Sequence, residues 1–208
     1  MDPDEQIKQQ IEAVNRAARK RVGMQEEDSF VQRVPDCFNA EELVALRSIA
    51  DEQATPSDIS MRGTISINKE VRRSQQVWLP PEENAWVYKR MLQIARRVNE
   101  RYQYQIDRVD DKIQIAYYDE TEQGFFSWHM DWGSDAQQRK ISISIPLNEP
   151  EEYEGGELEF NVNGVPAAVP QKMGTAVTFP SYILHRVNPV TRGRRYSMVA
   201  WIHGPPFR

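Results

Sequence analysis

Ile141, Ile143 and Ile145 alternate with Ser142 and Ser144. A two-residue period of this kind sorts side chains onto opposite faces of an extended strand, and no helix does the same. From about Lys112 onward this period returns in short apolar runs, separated by turns at Gly155-Gly156, Asn163-Gly164 and Pro180-Ser181. Several short strands spaced in this way predict a sandwich or jelly roll. Upstream the period is helical. Ile7, Ile11, Val14, Ala18 and Val22 recur on one face of a helix that ends in Arg19-Lys20-Arg21, where the helix dipole favours cations. Asn39 and Glu42 make a capping-box pair ahead of Leu43, Leu46 and Ile49. Pro80-Pro81 opens a further helix with Val87, Met91, Ile94 and Val98 on one side. The polar stretch from Asp51 to Asn68 reads as a loop beside the site. The fold class that follows is α+β, with N-terminal helices laid against the sheet of a jelly roll. The 208 residues fit a single domain, in which 1–110 form a mainly helical support and 111–208 the jelly-roll core.

Only three histidines occur, and two of them fall into a ligand pattern. His129 and Asp131 are two apart and share a strand face, while His185 can return on a neighbouring strand to meet the same ion. Two imidazoles and one carboxylate leave the remaining coordination positions open, which is the arrangement of a non-haem Fe(II) centre. The competing reading is an unrelated pair of surface or core histidines, and the ordered set with a basic residue downstream argues against it. Arg195 and Ser197 lie on one face of a later strand, where a planar guanidinium beside a hydroxyl suits a carboxylate. Arg192 and Arg194, next to Gly193, read as a solvated basic turn. His203 reads as structural or exposed. Trp128 and Trp132 have the opposite parity to the ligands and read as lining or packing groups.

Several segments carry a resemblance: Gln114-Ile-Ala-Tyr-Tyr118, Gly124-Phe-Phe-Ser-Trp-His129-Met-Asp131, Tyr153-Glu-Gly-Gly-Glu-Leu-Glu-Phe160, Phe179-Pro-Ser-Tyr-Ile-Leu-His185 and Arg195-Tyr-Ser-Met-Val-Ala-Trp201. In this order they resemble the Fe(II)/2-oxoglutarate-dependent oxygenases of the prolyl 4-hydroxylase-like, PKHD-type family, strongly over the last half of the chain and more weakly through Val71–Leu79. The resemblance implies a double-stranded β-helix, with iron on His129, Asp131 and His185 and the distal carboxylate of 2-oxoglutarate on Arg195. The family's strand tyrosine best matches Tyr118, although the spacing to His129 is longer than is usual, and Tyr117 points to the other face of a regular strand. The implied chemistry consumes 2-oxoglutarate and O2, releases succinate and CO2, and hydroxylates a C–H bond. Retention of Asp131 favours hydroxylation over halogenation. The implied substrate is a prolyl residue in a protein or peptide, with Arg73, Ser74 and Trp78 on the substrate side. A free amino acid or other small metabolite is the alternative, because fold does not fix substrate. A non-catalytic, cupin-like metal-binding protein is the alternative of another class.

Charge and cysteine content narrow the setting. A formal net charge of −5 does not suit a general nucleic-acid binder. Lys69, Arg72 and Arg73 cluster locally, and Lys89, Arg90, Arg96 and Arg97 read as the solvated face of a helix. Cys37, the single cysteine, excludes an internal disulfide and is expected to pack beside Phe38. With no signal-like or membrane-length apolar run, the expected compartment is the cytoplasm and no membrane partner is expected.

Overall fold

The structure, a computed structural model, describes residues 30–207 except 62–63, 111, 134–135 and 163. The helix expected across Ile7 to Val22 lies outside the described residues. In chain order the described elements are β1 (Gln32–Val34), α1 (Ala40–Gln53), β2 (Thr55–Pro56), β3 (Ile59–Met61), β4 (Thr64–Ser66), β5 (Arg72–Arg73), β6 (Gln75–Leu79), α2 (Pro81–Tyr102) and β7 (Arg108–Val109). They continue with β8 (Ile113–Asp119), β9 (Phe125–His129), β10 (Arg139–Pro146), β11 (Tyr153–Gly155), β12 (Leu158–Asn161), β13 (Pro166–Ala168), β14 (Ala176–Pro180), β15 (Leu184–Val187) and β16 (Val190–His203).

Both anticipated helix starts are present. Asn39 accepts from the Glu42 amide while the Glu42 carboxylate accepts from the Asn39 amide, so two otherwise orphaned N–H groups at the start of α1 are satisfied together. In α2, Pro81 takes the first turn, where its missing N–H costs nothing, and Gln103 ends the helix in the left-handed region at φ 56°. Leu43, Leu46 and Ala50 of α1 and Val87, Met91, Ile94, Ala95 and Val98 of α2 are buried.

The strands form two principal sheets. The larger runs β1-β14-β10-β16-β8-β6-β2, with β7 and β11 also pairing β16, and the smaller runs β13-β12-β15-β9-β5. Their antiparallel order is that of the double-stranded β-helix. The helices pack on the outer face of the large sheet, where Ile141, Ile143, Ile145, Met198, Ala200 and Ile202 join their apolar stripes in one core. A second cluster fills the space between the sheets, from Ala116 and Tyr118 to Phe160, Phe179 and Val187. The alternation at β10 therefore separates two buried faces: Ser142 and Ser144 point between the sheets and are buried too.

Two expectations change. The support region also supplies β1, β2, β6 and β7 to the large sheet and β5 to the small one. Asp51 to Asn68 is not an irregular loop: α1 runs to Gln53, β2 pairs with β6, and β3 and β4 form a hairpin. Strands of two or three residues have no period of their own, so only their partners reveal them.

Candidate metal centre

Register brings the ligands together. β9 and β15 pair antiparallel with His129 opposite His185, which sets the two imidazole rings 4.1 Å apart between centroids. Asp131 follows just past the end of β9, with Oδ1 3.9 Å from His129 Nε2 and Oδ2 3.6 Å from His185 Nε2. One ligand atom from each of the three lies within 4.8 Å of the others.

Each ligand is oriented. His129 Nδ1 lies 2.8 Å from the Ser127 carbonyl oxygen and His185 Nδ1 2.9 Å from that of Ile183. A carbonyl only accepts, so both Nδ1 atoms carry the proton and both Nε2 lone pairs face the shared space. Ser142 Oγ donates to Asp131 Oδ2 at 2.6 Å and lies 3.0 Å from Ser181 Oγ. Phe126 stacks on His129 at 3.5 Å, and Phe179 meets His185 edge-on at 4.7 Å. Burial, with His185 as neighbour, pushes the His129 imidazole down to about 3, which keeps it neutral and able to ligate. Burial opposes the charge on Asp131, yet His185, His129, Arg139 and the Ser142 hydroxyl together hold its carboxyl below the ordinary range.

Arg195 lies further along the same interior. It is 1% exposed, sits opposite Tyr118 in the β8–β16 register, and carries its guanidinium carbon 5.5 Å from the Tyr118 ring centre. Its Nη1 donates to Ser197 Oγ at 3.2 Å and its Nη2 to Gln171 Oε1 at 3.5 Å, while buried Nε has no partner. No carboxylate among the described residues neutralises it. Tyr118 shares the inner face, whereas Tyr117 packs toward the helices. The residues present suit the groups expected of them: two imidazoles and a carboxylate for Fe(II), and an uncompensated buried guanidinium for a dicarboxylate.

Other anticipated residues lie elsewhere. Arg73 is turned to other partners, bonding the Glu122 carbonyl and lying over Phe125. Ser74 is buried in a hydrogen-bonded chain with Arg72 and Ser57, and Trp78 packs against Trp201. Trp128 carries Arg186 on its ring, and the Trp132 indole donates to the Gln137 carbonyl, so both are packing groups. Arg194 is no solvated turn residue, because it binds Asp119, Asp51 and the Tyr196 hydroxyl; Arg192 pairs with exposed Glu154. His203 is structural, 3.1 Å from Asp110. Cys37 is buried, with its thiol donating to the Val34 carbonyl. Three contributors escaped the sequence reading: Ser142, Arg72 and Gly156, whose hydrogen lies where a Cβ would be 2.8 Å from Arg195 Cδ. Parity with Ile141 and Ile143 was the available signal for Ser142, whereas Arg72, on a two-residue strand, offered none.

Residues 113–203, a span that holds all three ligands and Arg195, match the family described as the 2OG-Fe(II) oxygenase superfamily. A PKHD-type hydroxylase of Colwellia psychrerythraea (strain 34H / ATCC BAA-681) is 47% identical over 62 residues, 30% of this chain. That alignment, like those to three similar relatives, spans only 28% of the other protein's length. A PKHD-type hydroxylase of Acidovorax ebreus (strain TPSY) is 32% identical over 170 residues, covering 77% of this chain and 72% of the relative. A prolyl hydroxylase from Trichoplax adhaerens, solved with a hypoxia inducible factor oxygen degradation domain peptide fragment, shares the fold at TM-score 0.70 and 16% identity, over 94% of this chain and 92% of its own. With the extended match to the Acidovorax protein and the superfamily region centred on this ligand set, the chain belongs to the PKHD-type hydroxylases of the 2OG-Fe(II) oxygenase superfamily.

Proposed function

We propose that the protein is an Fe(II)- and 2-oxoglutarate-dependent dioxygenase that hydroxylates a C–H bond, with a prolyl residue of a protein or peptide as substrate. The observation that carries this reading is the pairing of a two-histidine, one-carboxylate cluster with a fully buried, uncompensated arginine on the same interior. Iron, 2-oxoglutarate and O2, when bound, supply an oxidant able to take hydrogen from an unactivated C–H bond, with succinate and CO2 released and one oxygen atom delivered to the substrate.

The chain's own residues do the positioning. His129, Asp131 and His185 hold the metal, the Ser127 and Ile183 carbonyls fix the imidazoles, and Ser142 fixes the carboxylate. Arg195 anchors the distal carboxylate of 2-oxoglutarate, with the Ser197 hydroxyl and the Tyr118 ring beside it. Phe126 packs on the His129 imidazole and Phe160 and Phe179 on that of His185, which fixes both rings. A prolyl substrate is supported by the family and by the peptide in the Trichoplax structure. No helix among the described residues is long and apolar enough to cross a membrane. We place the enzyme in the cytoplasm, in keeping with an unbridged Cys37.

The test is an anaerobic titration of the Fe(II)-loaded protein with 2-oxoglutarate, read from the visible iron-to-ligand charge-transfer band. A band in wild type that requires at least about tenfold more 2-oxoglutarate in Arg195→Ala is the expected result. Stoichiometric iron without a band overturns the assignment.

A further inference from the structure

A second arginine is buried without a counter-ion near the candidate metal centre, against the phenylalanine that stacks on His129. Arg72 on β5 is 7% exposed, and its guanidinium carbon lies 4.8 Å from the centre of the Phe126 ring, the ring that stacks on His129. Nε donates to Ser74 Oγ at 2.7 Å and Nη2 to Gln114 Oε1 at 2.9 Å. Those partners are neutral, and so are theirs: Ser74 Oγ bonds Ser57 Oγ, and Gln114 Nε2 donates to Gln76 Oε1. The first acid on this chain of bonds is Asp58, which Gln76 Nε2 engages at 3.0 Å, beyond two side chains from Arg72. Arg139, the other arginine near the site, differs, because Asp110 pairs with it at 3.1 Å.

An arginine taken out of water without an opposite charge is costly, and ordinary proteins pair such a group. Arg195 shows the same pattern, and its missing partner is the 2-oxoglutarate carboxylate. The two sites cannot serve one molecule in the same way, since Arg195 belongs to β16 opposite Tyr118 and Arg72 to the small sheet beside Phe126. Phe126 makes Arg72 the cation on the His129 side of the centre, and the two guanidinium nitrogens that are bonded meet only neutral side chains. Resting on the proposed oxygenase activity, we infer that Arg72 determines specificity by holding a carboxylate of the molecule that is hydroxylated. The substrate class is therefore anionic, with a carboxylate close to the reacting carbon. It can be the α-carboxylate of a free or chain-terminal residue or the side chain of an acidic neighbour.

Gln114 makes the inference testable without removing Arg72. Gln114→Glu places a carboxylate on Nη2 from within and neutralises the guanidinium, and pairing it with Gln76→Ala removes the amide oxygen that would otherwise face the new carboxylate. The protein is loaded with Zn(II), which is redox-inert, and with 2-oxoglutarate. Binding is then measured by calorimetry for N-acetyl-L-proline against N-acetyl-L-prolinamide, and for acetyl-Asp-Pro-amide against acetyl-Asn-Pro-amide. In wild type at least one acid should bind about tenfold or more tightly than its amide, and which pair shows it tells an α-carboxylate from an acidic neighbour. The ratio should fall to about one both in the Gln114→Glu, Gln76→Ala double variant and in Arg72→Gln. Equal affinities in wild type, a preference that survives in the double variant, or no binding of any probe overturns the inference. The 2-oxoglutarate titration of the same Zn(II) protein separates the two claims: tight 2-oxoglutarate binding without acid preference defeats the Arg72 role alone, and its absence defeats the oxygenase reading.

Discussion

At the scale of single residues, His129 makes the metal-free protein sensitive to acid. Burial and the neighbouring His185 push its pKa from 6.5 to about 3, so between those values the unfolded chain binds a proton that the folded chain refuses. Stability therefore rises with pH across that window and is lost as pH falls through it. The thermal midpoint of metal-free protein should climb between pH 4 and pH 6.5, roughly the upper part of the window, and His129→Gln should flatten the climb. Equal slopes in the two proteins would show that another group controls the acid limb. Ser142→Ala removes the 2.6 Å donor to Asp131 and should weaken iron binding about 10–100-fold with the fold intact, as an equilibrium iron titration would show. Gly156 has φ 67° and sits against Arg195 Cδ. Gly156→Ala strains the backbone and displaces the guanidinium, so it should raise the 2-oxoglutarate concentration at half saturation while leaving iron affinity unchanged. The clustering of His129, Asp131 and His185 was legible from residue type and order, but not from strand parity, because β9 ends at His129 and Asp131 follows it. Arg72 was not legible, because three cations within five residues look like a solvated cluster, and only pairing with β9 turns Arg72 inward and Arg73 to other partners.

At the scale of elements, what the sequence declared were features that one segment decides for itself. The capping box of α1 is such a feature: Asn39 and Glu42 satisfy each other's backbone with no outside help. Asn39→Ala should cost about 1 kcal/mol in chemical denaturation, and a loss near zero would mean that tertiary contacts alone define the helix start. The apolar stripe of α2 was equally plain, and Met91→Ala, at a position 0% exposed, should cost roughly 2–5 kcal/mol. The hairpin of β3 and β4 and the short strands β2, β5 and β7 were not legible. Two or three residues cannot bury a face alone, and their strand state comes from β6, β9 and β16. The polar side of β10 misleads for the opposite reason. Serine at an alternating position suggests water, but Ser142 is buried because Asp131 and Ser181 take its hydrogen bonds.

At the scale of the whole molecule, the large sheet keeps two buried regions apart. The helices and the outer faces of β8, β10 and β16 make one core, and the metal ligands, Arg195 and the phenylalanines occupy the other side. Chelating the metal should therefore leave the far-ultraviolet circular dichroism spectrum unchanged and lower the thermal midpoint only by the lost binding free energy. Collapse of the spectrum on chelation would mean that the metal holds the jelly roll together. Met91→Ala should do the reverse, lowering the midpoint while iron and 2-oxoglutarate affinities stay at wild-type values. A single strand embodies this separation. In β10 the odd-numbered isoleucines answer to folding, and Ser142 on the opposite face holds the carboxylate of the candidate metal centre. Drift among the isoleucines would therefore surface as a weaker fold and drift at Ser142 as a looser hold on Asp131, so one strand carries two separate liabilities back to back.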